Sequence, residues 1–432
     1  MARSAALNVY IEDPTNRTDW IFRLLLEELL GLDVDFIDKP ASAHPLLTYS
    51  KRAQQDAVNI VPYGLLSEMV IRDQAIRMGK YEGIPVFFMT AAGDMPFDPF
   101  SLSFYLVSRY EEYLPFRPDG HGRFPHTESI AHKENFLHLA MVNRCALWIG
   151  QLLEKRYPDL KITLPEYRFQ PTIDIDQAYA YLGKGFVRSW GSVVKLLLKG
   201  NFDEVQACLQ TMRGKKQDPF DNFDMLSELF MGHNPKPIYF ILAGKRGPND
   251  RNLSVKNKRF STLVRRLSEN AGVAVHPSYG SGDDSGRIKR EINGLEAITG
   301  KKIDSSRQHF VKMTFPSTYE ALIRAGISHD YSMGYASISG FRAGIASAYT
   351  FYNLEKEEAR PLRIHPFMFM DTTLGDYMEL EPDEYYGAVS PLIDEVIKVG
   401  GTLEGIWHNY DLADDKNRHA ALKKIVDKAK QG

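Results

Sequence analysis

The chain has 432 residues, 44% hydrophobic and 25% charged, with a formal net charge of -2. Such a balance is ordinary for a soluble globular protein, and the length exceeds what one core usually serves, so two domains are expected. Near-neutrality without a long basic run argues against nucleic acid or an anionic membrane surface as the main partner.

The start, Met1 to Tyr10, meets an acidic residue at Glu12 before any long apolar stretch, so no signal-peptide core is expected. No window approaches the roughly 18 apolar residues of a membrane span. The only cysteines, Cys145 and Cys208, have no metal spacing and make no disulfide framework. A cytoplasmic protein is the default expectation.

Residues 1–165 read as a smaller α/β unit. Asn8–Ile11 and Asp33–Ile37 read as strands, and Asp19–Leu30 reads as a helix with Ile21, Leu24, Leu25 and Leu29 on one face. Ala57–Val61 and Ile84–Met89 read as buried strands. After Phe97-Asp98-Pro99-Phe100, one helix is expected through Tyr105, Tyr110 and Tyr113, and His121–Phe124 reads as a loop. Asn143–Lys155 reads as a long amphipathic helix. The polar stretch from Arg156 to Tyr167, with two prolines, is the expected boundary.

From residue 166 to 432 strand-like and helical runs alternate. The strands fall near Ile173, at Ile238–Leu242, at Val273–Val275, near Phe310, near Tyr331, at Leu362–Phe369 and at Leu403–Trp407. Helices are expected at Ser192–Lys199, Thr262–Asn270, Ile288–Thr299, Ser317–Ala325 and Pro382–Val399. Alternation of this kind implies parallel β/α units, and about seven of them suggest a barrel. Asp174, Asp176, His276, His309 and His408 each sit beside or within one of these runs. A barrel gathers strand-end residues in one mouth, where carboxylates and imidazoles hold a divalent metal and still leave an acid and a base.

The run Thr172-Ile173-Asp174-Ile175-Asp176 resembles the Thr-Phe-Asp-Asp signature of polysaccharide deacetylases, with one residue inserted between the acids. His276-Pro277-Ser278 resembles that family's metal-histidine motif. Arg307-Gln308-His309-Phe310 resembles its Arg-x-Pro-Phe motif, Asp330-Tyr331-Ser332 its fourth motif, and Trp407-His408 its last histidine motif. The resemblance spans roughly residues 168 to 410. More narrowly, the chain resembles a bacterial deacetylase-like group with an extra N-terminal domain, by Phe97–Phe100, Ser108–Tyr113 and Asp330–Tyr335. Proteins of that group are commonly taken to act on surface polysaccharides or their precursors.

The resemblance implies a deformed (β/α) barrel preceded by the smaller α/β domain. It implies removal of an N-acetyl group from a carbohydrate substrate with a divalent metal, zinc as the first choice. Asp174 would be the base, Arg307 the residue that keeps Asp174 ionised and oriented, and His408 the acid. Asp176 and His276 would be metal ligands. The family's second metal histidine is absent, because Gly280 stands four residues after His276. His309 stands where the family has proline. Either His309 supplies the missing ligand from another strand, or the metal site is degenerate.

Trp407, Asp330 and Tyr331 are the candidates for contact with the sugar, although Trp407 equally suits a barrel core. Asp371 follows an apolar run and is a further candidate for the mouth. His365, before Pro366, reads as a loop or core residue. His121, His126, His132 and His138 match neither a helical face nor a zinc motif and read as surface residues. The segment Arg109–Tyr113 is expected to dock on the barrel through its aromatic residues and an Arg109 ion pair. Two rival readings are a non-catalytic glycan-binding or assembly protein with a degenerate metal site, and a metal-dependent amidohydrolase acting on a small non-sugar amide.

Overall fold

A computed structural model describes residues 6–40, 44–184, 197–198, 200–413 and 415–432. The helix expected over Ser192–Lys199 lies outside these apart from residues 197 and 198.

The N-terminal region carries a parallel sheet of β1 (Leu7–Ile11), β2 (Val34–Ile37), β3 (Leu46–Tyr49) and β4 (Val58–Ile60), in the order β2-β1-β3-β4. A hairpin follows, β5 (Met78–Tyr81) against β6 (Ile84–Phe87). Asp98 explains the Phe97–Phe100 motif. It caps the helix Pro99–Val107, accepting from the Phe100 and Ser101 amides, while Pro99 fills the first turn, where no amide is needed. The helix expected through Tyr113 stops earlier. Arg109 adopts φ 56°, a left-handed conformation, and a 3-10 turn, Tyr110–Tyr113, follows.

The second sheet has nine strands: β7 (Arg168–Ile175), β8 (Ile238–Leu242), β9 (Gly272–His276), β10 (Ser305–Ser306), β11 (His329–Met333), β12 (Tyr349–Asn353), β13 (Glu358–Pro366), β14 (Phe369–Met370) and β15 (Thr402–His408). Their order is β12-β13-β11-β10-β9-β8-β7-β15-β14, and every pairing is parallel except β12 with β13. The sheet is a curled half-barrel, and no pairing joins its two edges among the described residues. β8 reads Ile-Tyr-Phe-Ile-Leu without alternation because a parallel strand is covered on both faces. The strand expected near Phe310 is cut to Ser305–Ser306. A turn over His309–Val311 replaces it, with φ 61° at Phe310 and 52° at Val311.

The two regions share one core. A single cluster of buried side chains runs from Leu7 and Leu25 through Phe104 and Ile149 to Ile173, Tyr352, Leu392 and Trp407. Glu112 reaches across to Arg342 with two bonds, of 2.9 and 2.6 Å, and both side chains are buried. Arg109 spends its charge on Glu111 and Glu112 within its own segment, at 3.0 and 2.7 Å. It meets the second region through the Arg342 carbonyl and the Tyr335 hydroxyl. Within the Arg109–Tyr113 segment, the ion pair that bridges to the second region is therefore that of Glu112. Arg144 grips Glu395, and Arg17 grips Glu357, across the same seam.

Candidate active site

Registered pairing sets which side chains meet. His408 of β15 pairs with Asp174 of β7, and His276 of β9 pairs with Leu242 of β8. Alternation then turns Asp174 and His408 to the inner face of the curl and Ile173 and Trp407 to the outer one. Asp176 follows the end of β7. His309 follows β10, its amide held by the Pro277 carbonyl at 3.3 Å. A cleft of about 240 Å³ opens above these residues. Asp174, Asp176, His276, His309 and His408 all line it, with Phe310, Tyr377, Tyr410 and Arg123 at its sides.

Three imidazoles converge on Asp176. His276 Nε2 lies 3.2 Å from Asp176 Oδ1, His309 Nε2 lies 3.4 Å from Oδ2, and His408 Nε2 lies 4.0 Å from Oδ2. Each ring is held through its other nitrogen. His276 Nδ1 faces the Arg307 carbonyl at 2.5 Å, His309 Nδ1 faces Asp250 Oδ1 at 3.0 Å, and His408 Nδ1 faces Asp371 Oδ1 at 2.6 Å. An acceptor at Nδ1 fixes a proton there and turns Nε2 toward Asp176.

Ligand atoms of Asp176, His276 and His309 lie within 4.8 Å of one another. Asp176 Oδ1 is buried and without a hydrogen-bond donor. With Nδ1 of His276 donating to a carbonyl, neutral His276 presents a lone pair to that same oxygen. A cation between them satisfies both, so the donor set fits a divalent metal.

Charge is arranged around this point. Burial works against the Asp176 carboxylate, but His309, His276 and His408 outweigh it and hold its pKa well below the usual range. Burial likewise disfavours charge on His309, yet Asp176 and Asp250 lift its pKa to about 9. For His408, burial is outweighed chiefly by Asp371, and the pKa rises to about 10. His408 therefore holds a proton at neutral pH.

Asp174 stands beside this cluster. Its Oδ1 accepts from Arg307 Nη1 at 2.7 Å, and its Oδ2 lies 3.7 Å from His276 Nε2. Arg307 is fully buried below the cleft, its guanidinium carbon 4.1 Å from the centre of the Phe240 ring.

The three residues expected to touch sugar lie elsewhere. Trp407 is buried in the outer core beside Phe369. Tyr331 lies inside the curl but below the cleft, stacked on His365 at 4.2 Å. Asp330 is fully buried and accepts from Ser306 Oγ, Ser332 N and Ser332 Oγ. Ser332 Oγ in turn accepts from the Gln308 amide at 2.9 Å, so Asp330 braces the segment between Arg307 and His309. None of the three lines the cleft.

Asp250 and Arg123 escaped the sequence reading. Asp250 sits in the loop after β8, eight residues past the strand end, with no motif around it. Arg123 belongs to the His121–Phe124 loop of the N-terminal region. His121, expected at the surface, has Nδ1 3.2 Å from the Tyr279 hydroxyl.

Residues 7–158 match a family of unknown function, DUF7033. A search of curated proteins returns no match to the chain. Parts of it are similar to solved structures. One, from Mycobacterium smegmatis and provisionally described as a polysaccharide deacetylase, shares 15% identity over 61% of this chain and 83% of that one, with a TM-score of 0.39. An allantoinase shares 12% over 62% and 85%, with a TM-score of 0.40. The polysaccharide deacetylase Bc1974 from Bacillus cereus shares 13% over 62% and 88%, with a TM-score of 0.28.

Proposed function

We propose that the chain is a metal-dependent hydrolase that removes an N-acetyl group from a sugar or polysaccharide precursor. One observation carries this reading: three imidazoles, each fixed at Nδ1, aim Nε2 at one partly buried carboxylate, with a second, arginine-paired carboxylate beside them. The order of the motifs from Asp174 to His408 supports the amide as the bond cleaved.

Asp176, His276 and His309 would hold a divalent ion, zinc by the two-imidazole, one-carboxylate donors, and it would supply Lewis acidity toward water and an acyl oxygen. Asp174 accepts the proton of the attacking water on Oδ2, the oxygen that Arg307 leaves free. Arg307 keeps Asp174 ionised and fixes its plane. His408 carries its Nε2 proton to the departing amine nitrogen, and Asp371 holds the ring in place for that transfer.

The test is metal analysis of the purified protein with acetate release from a panel of acetamido sugars and small amides, before and after chelation. Acetate from the sugars, lost with chelator and restored by zinc, is the expected result. Protein that binds no metal and releases no acetate in the presence of zinc refutes the proposal.

A further inference from the structure

One residue lining the cleft, Arg123, comes from the N-terminal region. Asp119 Oδ1 accepts from the His121 and Arg123 amides at 2.9 and 3.0 Å, and Asp119 Oδ2 takes Arg123 Nε at 2.7 Å. The Arg123 side chain is thus fixed before it reaches the cleft. Its Nη1 donates to the Phe310 carbonyl at 2.7 Å, and its Nη2 lies 3.5 Å from the Tyr377 hydroxyl. Phe310 follows β10 and Tyr377 follows β14. Four strands separate β10 from β14 in the sheet, so the curl brings their ends face to face. One guanidinium therefore joins two opposite lips. His121 adds a second tie, its ring 4.9 Å from that of Phe310.

Size points the same way. The cleft, at about 240 Å³, falls below the roughly 300–1,000 Å³ of pockets that enclose drug-sized ligands. A single sugar ring suits that space. An interior residue of a long glycan needs an exit at both ends, and the Arg123 bridge removes one.

We propose that Arg123 is a specificity-determining residue that makes the cleft blind and selects a free or chain-terminal acetamido sugar over interior residues of a long glycan. The acetamido group rests on the hydrolase reading above; the closed end does not. With donors already committed to Asp119 and Phe310, the guanidinium still has N–H groups for a hydroxyl of the entering ring.

Saturation-transfer NMR on the full chain with the hexamer of N-acetylglucosamine tests this without turnover. In the wild type, transfer should be confined to one terminal ring. In Arg123→Ala, checked for folding by its thermal transition, transfer should spread to interior rings. Wild-type transfer over several interior rings, no transfer at all, or a folded Arg123→Ala identical to the wild type each overturns the proposal. The wild-type spectrum decides alone if the variant does not fold. Acetate release provides a separate readout: a single acetate per hexamer is expected from the wild type and several-fold more from the variant. Absence of acetate with transfer confined to the terminal ring refutes the hydrolase reading and leaves the blind cleft standing.

Discussion

Replacing His309 should separate a metal ligand from the groups that merely orient it. His309 Nε2 faces Asp176 at 3.4 Å, while its Nδ1 is held by Asp250 at 3.0 Å. In Asp250→Asn the ring keeps a polar neighbour but loses the carboxylate that sets its tautomer. Losses of about 10–100-fold in metal affinity, roughly 1.4–2.7 kcal/mol, are usual for such a change. His309→Ala removes the donor atom itself and leaves one imidazole and one carboxylate, too few to hold a catalytic zinc well. Its affinity should therefore fall by more than about 100-fold. His365→Ala should leave affinity unchanged, because its ring is stacked on Tyr331 and its Nε2 faces His329 at 3.0 Å. Competition with a chromophoric chelator, on variants with an intact thermal transition, gives all three values. A folded His309→Ala that binds zinc as tightly as the wild type would refute the site.

Asp174→Asn should abolish acetate release while metal affinity stays within a few-fold. It also strips the fully buried Arg307 of its counter-charge, so a stability loss of about 3–5 kcal/mol should appear in the thermal transition; wild-type turnover in this variant would remove Asp174 as the base. His408→Ala should lower kcat by roughly two to four orders of magnitude with KM little changed, as for a positioned acid; a loss confined to KM would contradict that role. Glu112→Gln should destabilise the whole chain by about 3–5 kcal/mol, since Arg342 is left buried without its partner. Burial alone would raise the Glu112 carboxyl, but Arg342 and Arg109 outweigh it and hold the group below its usual range. The resulting stability is complete above the unfolded value of about 4.3 and is lost as pH falls through the folded one. Urea titrations across that acid range should show a weaker pH dependence in Glu112→Gln, and an unchanged one would show that another group governs acid unfolding.

Strand ends made much of the candidate site readable. Asp174, His276 and His408 each close an apolar run, and parallel strands carry such residues to one side. Parity within a strand was readable too, and it argues against Trp407: if His408 faces inward, its neighbour cannot. The positive φ at Phe310 was not readable, because a bulky residue gives no local sign of that conformation. Asp371 follows an apolar run as well and holds His408, whereas Asp250 and Arg123 reach the histidines and the cleft only through tertiary packing. Asp119 fixes Arg123 locally, but its contacts at the cleft are with residues 187 and 254 positions away, a separation no local pattern encodes.

The shared core also bears on how this protein can be divided or varied. Gly340, at φ 142°, sits so close to the N-terminal region that a methyl group there would lie 2.7 Å from the Leu137 carbonyl oxygen. At Gly344 it would lie 2.8 Å from Leu106. Cutting at residue 165 would leave the half-barrel with a raw apolar wall and with Arg342 and Glu395 stripped of partners. The excised fragment is a candidate for aggregation, not for crystallography or assay. A mutant library confined to one flank of the seam would meet the same obstacle. The N-terminal region is thus a wall of the building, and it has to be carried along in any transplant of the active site.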